Sequence, residues 1–206
     1  MKLSFFTAIV MLMIPVFFSS CAATYKNISP ERANYSSNDL QDGISISYRY
    51  DVLNENGNKK YAKREQRNGV KVVAVKITNY TTSTINVSKD LSFYLGSNQI
   101  SLLSPEEIKQ ELKQNSPSYL LYLLLTPMVF QKTDENGTEK THIGYVVGPG
   151  VTLLNIIMAS TANQNFLFEL IKYDISNSEI APNETKYGII GIRDQGYNII
   201  TLKRKK

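Results

Sequence analysis

The chain offers few side chains that could carry out chemistry. Its 206 residues include one cysteine, Cys21, and one histidine, His142. A hydrolytic site needs a base near neutral pH, a nucleophile and a group that orients them, whereas His142 lies in a polar stretch typical of a solvated loop. No His, Cys or Asp residues have the spacing of metal ligands. The sequence therefore predicts a protein that is not an enzyme and that uses neither a cofactor nor a metal ion.

The cysteine follows a segment with the layout of a secretory signal peptide. Lys2 is followed by an apolar run that reaches Phe18, and the small residues Ser19 and Ser20 come directly before Cys21. A membrane crossing needs about 20 apolar residues, and this run of about 14 is short for that purpose. Residues 1–20 are therefore predicted to be a signal peptide that is removed.

The residues Phe18-Ser19-Ser20-Cys21 resemble a bacterial lipobox, in the aromatic and serine-rich form of Bacteroidetes lipoproteins. The resemblance implies that the Cys21 thiol carries diacylglycerol, that cleavage occurs before Cys21, and that the new amine is acylated, for example with palmitate. Since no Asp follows, only Ala22 and Ala23, the expected location is the outer membrane, facing the periplasm. The alternative is an ordinary cleaved signal with a cysteine nearby by chance.

Composition limits the partners and the number of domains. A net charge of +5 at pH 7 is modest and, with the expected location, argues against a nucleic-acid partner. The chain after residue 20 has the length of one domain. Residues 21–42 are rich in Ser and Asn and show no hydrophobic period, so they are predicted to be a flexible tether. The folded domain is predicted to span residues 43–206.

Short strands separated by turn signals predict an antiparallel β-sandwich. Residues 44–52 alternate apolar and polar side chains, and the Asn56-Gly57 step after them is a strong hairpin signal. Val70–Ile77 is apolar on both faces, which favours a central position in a sheet. Further strands are predicted at 84–87, 91–95, 99–103, 186–193 and 197–203.

The strand order is similar to that of immunoglobulin-like modules in uncharacterised bacterial lipoproteins. The similarity depends on the strand that ends in Ile77-Thr78-Asn79, on Leu91–Leu95, and on the turn sequence Ile-x-Pro-Asn-Glu-Thr that begins at Ile180. Such modules usually have Gly where this chain has Asn183, and Asn tolerates the same left-handed backbone. The resemblance implies a mainly β (α+β) fold, an antiparallel immunoglobulin-like β-sandwich, and an envelope location, but no shared reaction.

Residues 104–172 do not fit a sandwich and are predicted to be an inserted, apolar helical segment. Ser104-Pro105 followed by Glu107 predicts a helix with a capping box, which continues to about Gln114. After this helix come two uncharged stretches, Ser118–Phe130 and Ile143–Phe168, with a polar link between them.

Prolines interrupt both uncharged stretches, at Pro127 and at Gly148-Pro149-Gly150, which argues against a hairpin that crosses a membrane. The stretches are expected to pack against the sandwich. The alternatives are an interfacial position beside the lipid anchor, docking to a partner protein, and a two-span membrane hairpin.

Together these features predict an acyl-anchored envelope lipoprotein that acts as a non-enzymatic binding or accessory module. It would contact the membrane through its acyl chains and a protein partner in the envelope. The candidate contact surface is uncharged and rich in Leu and Tyr, and it comprises Tyr119, Leu120, Tyr122, Leu123 and Leu124. The alternatives are a carrier of a small apolar ligand or glycan, and a structural or adhesin subunit.

Overall fold

The structure is a computed structural model that describes residues 21–127, 129–134, 137–141 and 144–205. The predicted signal peptide, His142 and Glu135 lie outside these residues. The chain divides into two compact units. The sheet unit consists of Tyr25–Lys113 and the residues from Asn163 onward, and the helical unit consists of residues 21–24 and Gln114–Ala162.

The main sheet of the sheet unit has antiparallel strands in the order β1-β2-β3-β10. They are β1 Ser37–Gln41, β2 Ile44–Arg49, β3 Val70–Asn79 and β10 Thr185–Arg193. All residues of β3 except Lys76 are buried. The apolar pattern on both faces of β3 predicted a central strand, and the prediction is confirmed.

A second sheet contributes to the same hydrophobic core. Its order is β11-β5-β6, with β11 Ile200–Arg204, β5 Leu91–Leu95 and β6 Asn98–Ile100, while the short β4 Ile85–Asn86 pairs with β9 Glu179–Ile180. One buried cluster combines Ile46, Val75 and Ile190 of the main sheet with Phe93 and Leu202 of the second. Among the described residues, helix makes up 38% and strand 30%, so the α+β class is confirmed but the fold is not mainly β.

The hairpin predicted at Asn56-Gly57 is wrong. The chain instead forms two helices after β2, namely α1 Val52–Glu55 and α2 Lys59–Asn68. Val52 and Leu53 are almost fully buried, so the chain turns towards the core after β2. Gly57 has a φ of 78°, and a positive φ suits the end of a helix as well as a hairpin turn.

Two further helices of the sheet unit are α3 Val87–Asp90 and α4 Pro105–Leu112. The capping box predicted for α4 is confirmed. The Glu107 amide donates to Ser104 Oγ at 3.3 Å, and the Ser104 amide donates to the Glu107 carboxylate at 2.8 Å. These two bonds satisfy amides that no helical carbonyl can reach.

The segment predicted to be a flexible tether is largely packed. Tyr25 and Ile28 are buried, and the Tyr25 ring centroid lies 5.3 Å from that of Phe166. β1 pairs with β2 along its whole length, from Ser37 opposite Tyr48 to Gln41 opposite Ile44. Composition misled the prediction because an edge strand is held by backbone hydrogen bonds, which polar residues also form.

The helical unit contains the 3-10 helix Ser116–Leu125, the hairpin of β7 Phe130–Asp134 and β8 Gly137–Thr141, and the first part of α5 Gly144–Lys172. From Asn163 onward α5 belongs to the sheet unit. The interruption expected at Gly148-Pro149-Gly150 does not occur, since Pro149 lies inside α5 near its start. Among the described residues, no helix is both long and apolar enough to cross a membrane.

Candidate functional site

Cys21 is exposed, and the residues after it are fastened to the helical unit. The Ala22 amide donates to Asn155 Oδ1 of α5 at 2.6 Å. The Ala23 amide donates to Gln114 Oε1 at 3.1 Å, and the Ala23 carbonyl accepts from Gln114 Nε2 at 2.6 Å. The Cys21 sulfur lies 3.8 Å from the Tyr122 hydroxyl. A group attached to Cys21 would therefore lie close to the surface of this unit.

The 3-10 helix divides the predicted contact residues into two sets. Tyr119 and Tyr122 are buried, each with 4% of its surface exposed, whereas Leu120, Leu123 and Leu124 are 51%, 43% and 74% exposed. A 3-10 helix has three residues per turn, so residues three apart share a face. The two tyrosines thus belong to the core of the unit, and their prediction as contact residues is wrong. The three leucines do form part of a surface.

Sequence reasoning missed the other exposed apolar residues of this unit. Leu121 shares the outer side of the 3-10 helix. On α5, a stripe of side chains at helical spacing is also exposed, comprising Leu153, Leu154, Ile157 and Met158. The signal was present in the sequence, because Thr152, Asn155, Ala159 and Ala162 have the spacing of a buried face and leave these four on the other side.

The 3-10 helix and α5 pack through both aromatic and small side chains. Ala22, Tyr119, Tyr122 and Ala159 form one buried cluster. Gly148 lies so close to Thr126 that a Cβ atom on it would be 2.7 Å from the Thr126 hydroxyl oxygen. The inner faces are therefore already filled, and the exposed leucines do not belong to the interior of this unit.

Charge is confined to one part of the helical unit. No Asp, Glu, Lys or Arg occurs in 114–130 or in 144–168, while Lys132, Asp134, Glu139 and Lys140 all lie on β7 and β8. A surface with exposed leucines and no charge can bind apolar matter.

A buried carboxyl of the sheet unit, that of Glu65, is a candidate for acid–base chemistry. Burial raises the pKa of Glu65 to about 7, and the Val72 amide and Lys71 limit this rise. The Val72 amide donates to Glu65 Oε1 at 2.6 Å, so this carboxyl stabilises the start of β3. Within the described ranges, no three His, Cys, Asp or Glu residues could hold a metal ion.

A carrier of a small apolar ligand or glycan, which is the alternative function, needs a pocket, and the sheet unit has grooves that could be considered for this role. One groove has a volume of about 260 Å³, and its lining combines apolar residues such as Leu91 and Phe93 with polar residues such as Gln99 and Lys205. Sites for small molecules usually enclose about 300–1,000 Å³. A wider groove of about 600 Å³ is lined mainly by polar groups, including Arg193 and Asp194. Neither groove favours a carrier over a binding module.

No family model, no curated protein sequence and no solved structure matches this chain. The likeness of Phe18–Cys21 to a lipobox and of the strands to an immunoglobulin-like module therefore stays an expectation. Function has to be inferred from the contacts and exposure of the residues described above.

Proposed function

We propose that this protein is an acyl-anchored envelope lipoprotein that acts as a non-enzymatic binding or accessory module. The observation that carries the proposal is the position of Cys21. It is exposed, and its neighbours Ala22 and Ala23 are hydrogen-bonded to Asn155 and Gln114 of the helical unit. A lipid on Cys21 would hold that unit at the membrane.

The energetics of lipidation support a durable anchor. Each buried methylene contributes about 0.8 kcal/mol, and one acyl chain alone gives only marginal binding, whereas two or three chains give stable attachment. Diacylglycerol on the thiol and an acyl chain on the new amine would supply this number. The location we propose is the outer membrane, facing the periplasm.

The sheet unit is the module that the anchor would present, and we propose an immunoglobulin-like β-sandwich for it. Two antiparallel sheets share one buried cluster, which is compatible with such a sandwich. The turn before β10 has Asn183 at a φ of 62°, where the modules that this chain resembles usually have Gly. The non-enzymatic role follows from a chain with a single histidine and a single cysteine.

Lipidation is tested by the intact mass of the protein purified from its native envelope. We expect a mature chain that begins at Cys21 and carries the mass of two or three acyl chains. The Cys21→Ser variant should lack this mass and leave the membrane fraction, while a Thr24→Ser control should behave like the wild type. A wild-type chain without acyl groups would overturn the lipoprotein assignment.

The accessory role is tested by cross-linking in cells, followed by purification and mass spectrometry. We expect a reproducible envelope protein bound to the wild type and lost with Cys21→Ser, because the variant is no longer held near its partner. If the acylated wild type gives only self-cross-links, the accessory role is contradicted even though the anchor stands.

A further inference from the structure

The two helices of the helical unit expose apolar side chains on their outer faces. On the 3-10 helix Leu121 and Leu124 are 65% and 74% exposed, and on α5 Leu153 and Leu154 are 60% and 63% exposed. Helices at the surface of a globular protein normally place charged or polar residues on the outer face. Here that face has leucines, and the charges of the unit lie on the β7–β8 hairpin.

The attachment point of the lipid belongs to this same unit. Ala22 and Ala23 are hydrogen-bonded to Asn155 and Gln114, and the Cys21 sulfur lies against the Tyr122 hydroxyl. Tyr122 is flanked in the chain by the exposed residues Leu121 and Leu123. Acyl chains on Cys21 would therefore bring a lipid surface to within a few ångströms of the 3-10 helix.

We propose that the exposed leucines of the 3-10 helix and of α5 lie in the phospholipid bilayer that holds the acylated Cys21. The inference rests on the proposed function and names the surface that the helical unit binds. In this arrangement the unit lies at the boundary between head groups and acyl chains. Side chains of interfacial helices enter this region to a depth of about 5–10 Å.

Two features of the unit fit this environment better than they fit a protein partner. The outer faces carry no charge that could select one protein over another. Tyr145 at the start of α5 is 66% exposed, and tyrosine is enriched where membranes meet water.

The chain contains no tryptophan, so a single introduced tryptophan reports on one position. We suggest Leu124→Trp and Leu154→Trp as probes on the two helices, and Tyr80→Trp, at a 59% exposed position of the sheet unit, as the matched control. Each purified protein is placed in vesicles of phosphatidylethanolamine and phosphatidylglycerol that contain a brominated phosphatidylcholine, because bromine on the acyl chains quenches nearby tryptophan.

We expect the emission of Leu124→Trp and Leu154→Trp to fall by about half and to shift to the blue, as a depth of about 5–10 Å implies. Tyr80→Trp should show neither change. Unquenched, red emission from both probes would overturn the inference. A blue shift without quenching would also overturn it, because it would show that protein rather than lipid covers the leucines.

The intact mass of the same samples separates this inference from the proposed function. If Cys21 carries acyl chains and the probes are not quenched, the lipoprotein assignment stands and the inference fails. If Cys21 carries no acyl chains, the lipoprotein assignment fails. Titration of that protein with vesicles still tests whether the exposed leucines contact a bilayer. Quenching would then support contact with the bilayer, and its absence would contradict it.

Discussion

Glu65 is a buried carboxyl whose protonation is coupled to folding. Its pKa of about 7 in the folded protein, raised by burial, lies above the ordinary value of 4.5. The folded chain therefore keeps a proton that the unfolded chain releases between these two pH values. The stability that the protonated group provides is complete below pH 4.5 and is lost as the pH rises through 7.

We predict that Glu65→Gln weakens this dependence of stability on pH. Glutamine still accepts from the Val72 amide but carries no charge. The free energy of unfolding of the variant, relative to that of the wild type, should therefore rise by up to about 3 kcal/mol between pH 4.5 and pH 8. Urea unfolding at both pH values measures the difference. Glu179→Gln, at an exposed position, is the control. Equal pH profiles for Glu65→Gln and the wild type would contradict the prediction.

Single residues also show how far the candidate site could be predicted. The composition of residues 118–130 revealed an uncharged surface, and Leu120, Leu123 and Leu124 are indeed exposed. Tyr119 and Tyr122 are three residues apart and so share a face in a 3-10 helix as in an α-helix, but composition did not show that this face is the buried one. Which residue types occur was readable from the sequence, and which side they face was not.

At the level of elements, prediction succeeded where one local pattern dominates. β3 and β10 follow from their apolar runs, and the start of α4 follows from Ser104 and Glu107. α2 was missed because its sequence is mostly polar and its buried face consists of Tyr61, Ala62 and Glu65. Tertiary contacts, rather than local propensity, stabilise such a helix.

The contact between α4 and β10 depends on a glycine. A Cβ atom at Gly191 would lie 2.4 Å from Cγ1 and Cδ1 of Ile108, which is itself buried. We predict that Gly191→Ala destabilises the protein by about 1–3 kcal/mol, because the helix must move away from the strand. Chemical denaturation measures the loss.

A matched control for this prediction lies shortly after β10. At Gly196 the nearest atom to an added Cβ is 3.9 Å away, so Gly196→Ala should change stability by no more than about 0.5 kcal/mol. Ile108→Ala removes both Cγ1 and Cδ1, so Gly191→Ala should cost less stability in the Ile108→Ala background than in the wild type. Similar losses for Gly191→Ala and Gly196→Ala would refute the close approach as the cause.

At the scale of the whole molecule, the prediction from composition was least accurate for the N-terminal segment, residues 21–42. Glu169 of α5 fastens it, because this buried carboxylate accepts from the Tyr25 hydroxyl and from the amides of Ile28 and Ser29, the latter two at 2.9 and 3.0 Å. Partners more than a hundred residues apart in the chain form this site, so no local pattern could predict it.

We predict that Glu169→Ala releases residues 25–29 and lowers stability by about 2–4 kcal/mol, since it leaves two buried donors and one partly buried donor without their acceptor. Hydrogen exchange at the Ile28 and Ser29 amides should become faster than in the wild type. The control Glu179→Ala should leave the exchange rates of these two amides unchanged. Full protection of both amides in Glu169→Ala would show that other contacts hold the segment.

The packing of this segment limits the length of free chain between Cys21 and the sheet unit. Tyr25 is buried in the sheet unit and only residues 22–24 separate it from Cys21, so an extended backbone spans at most about 14 Å between them. With acyl chains on Cys21, the protein would reach a partner by lateral diffusion in the membrane rather than by extending away from it. A partner would have to arrive at the same leaflet, and lateral diffusion of the anchor would set how often the two meet.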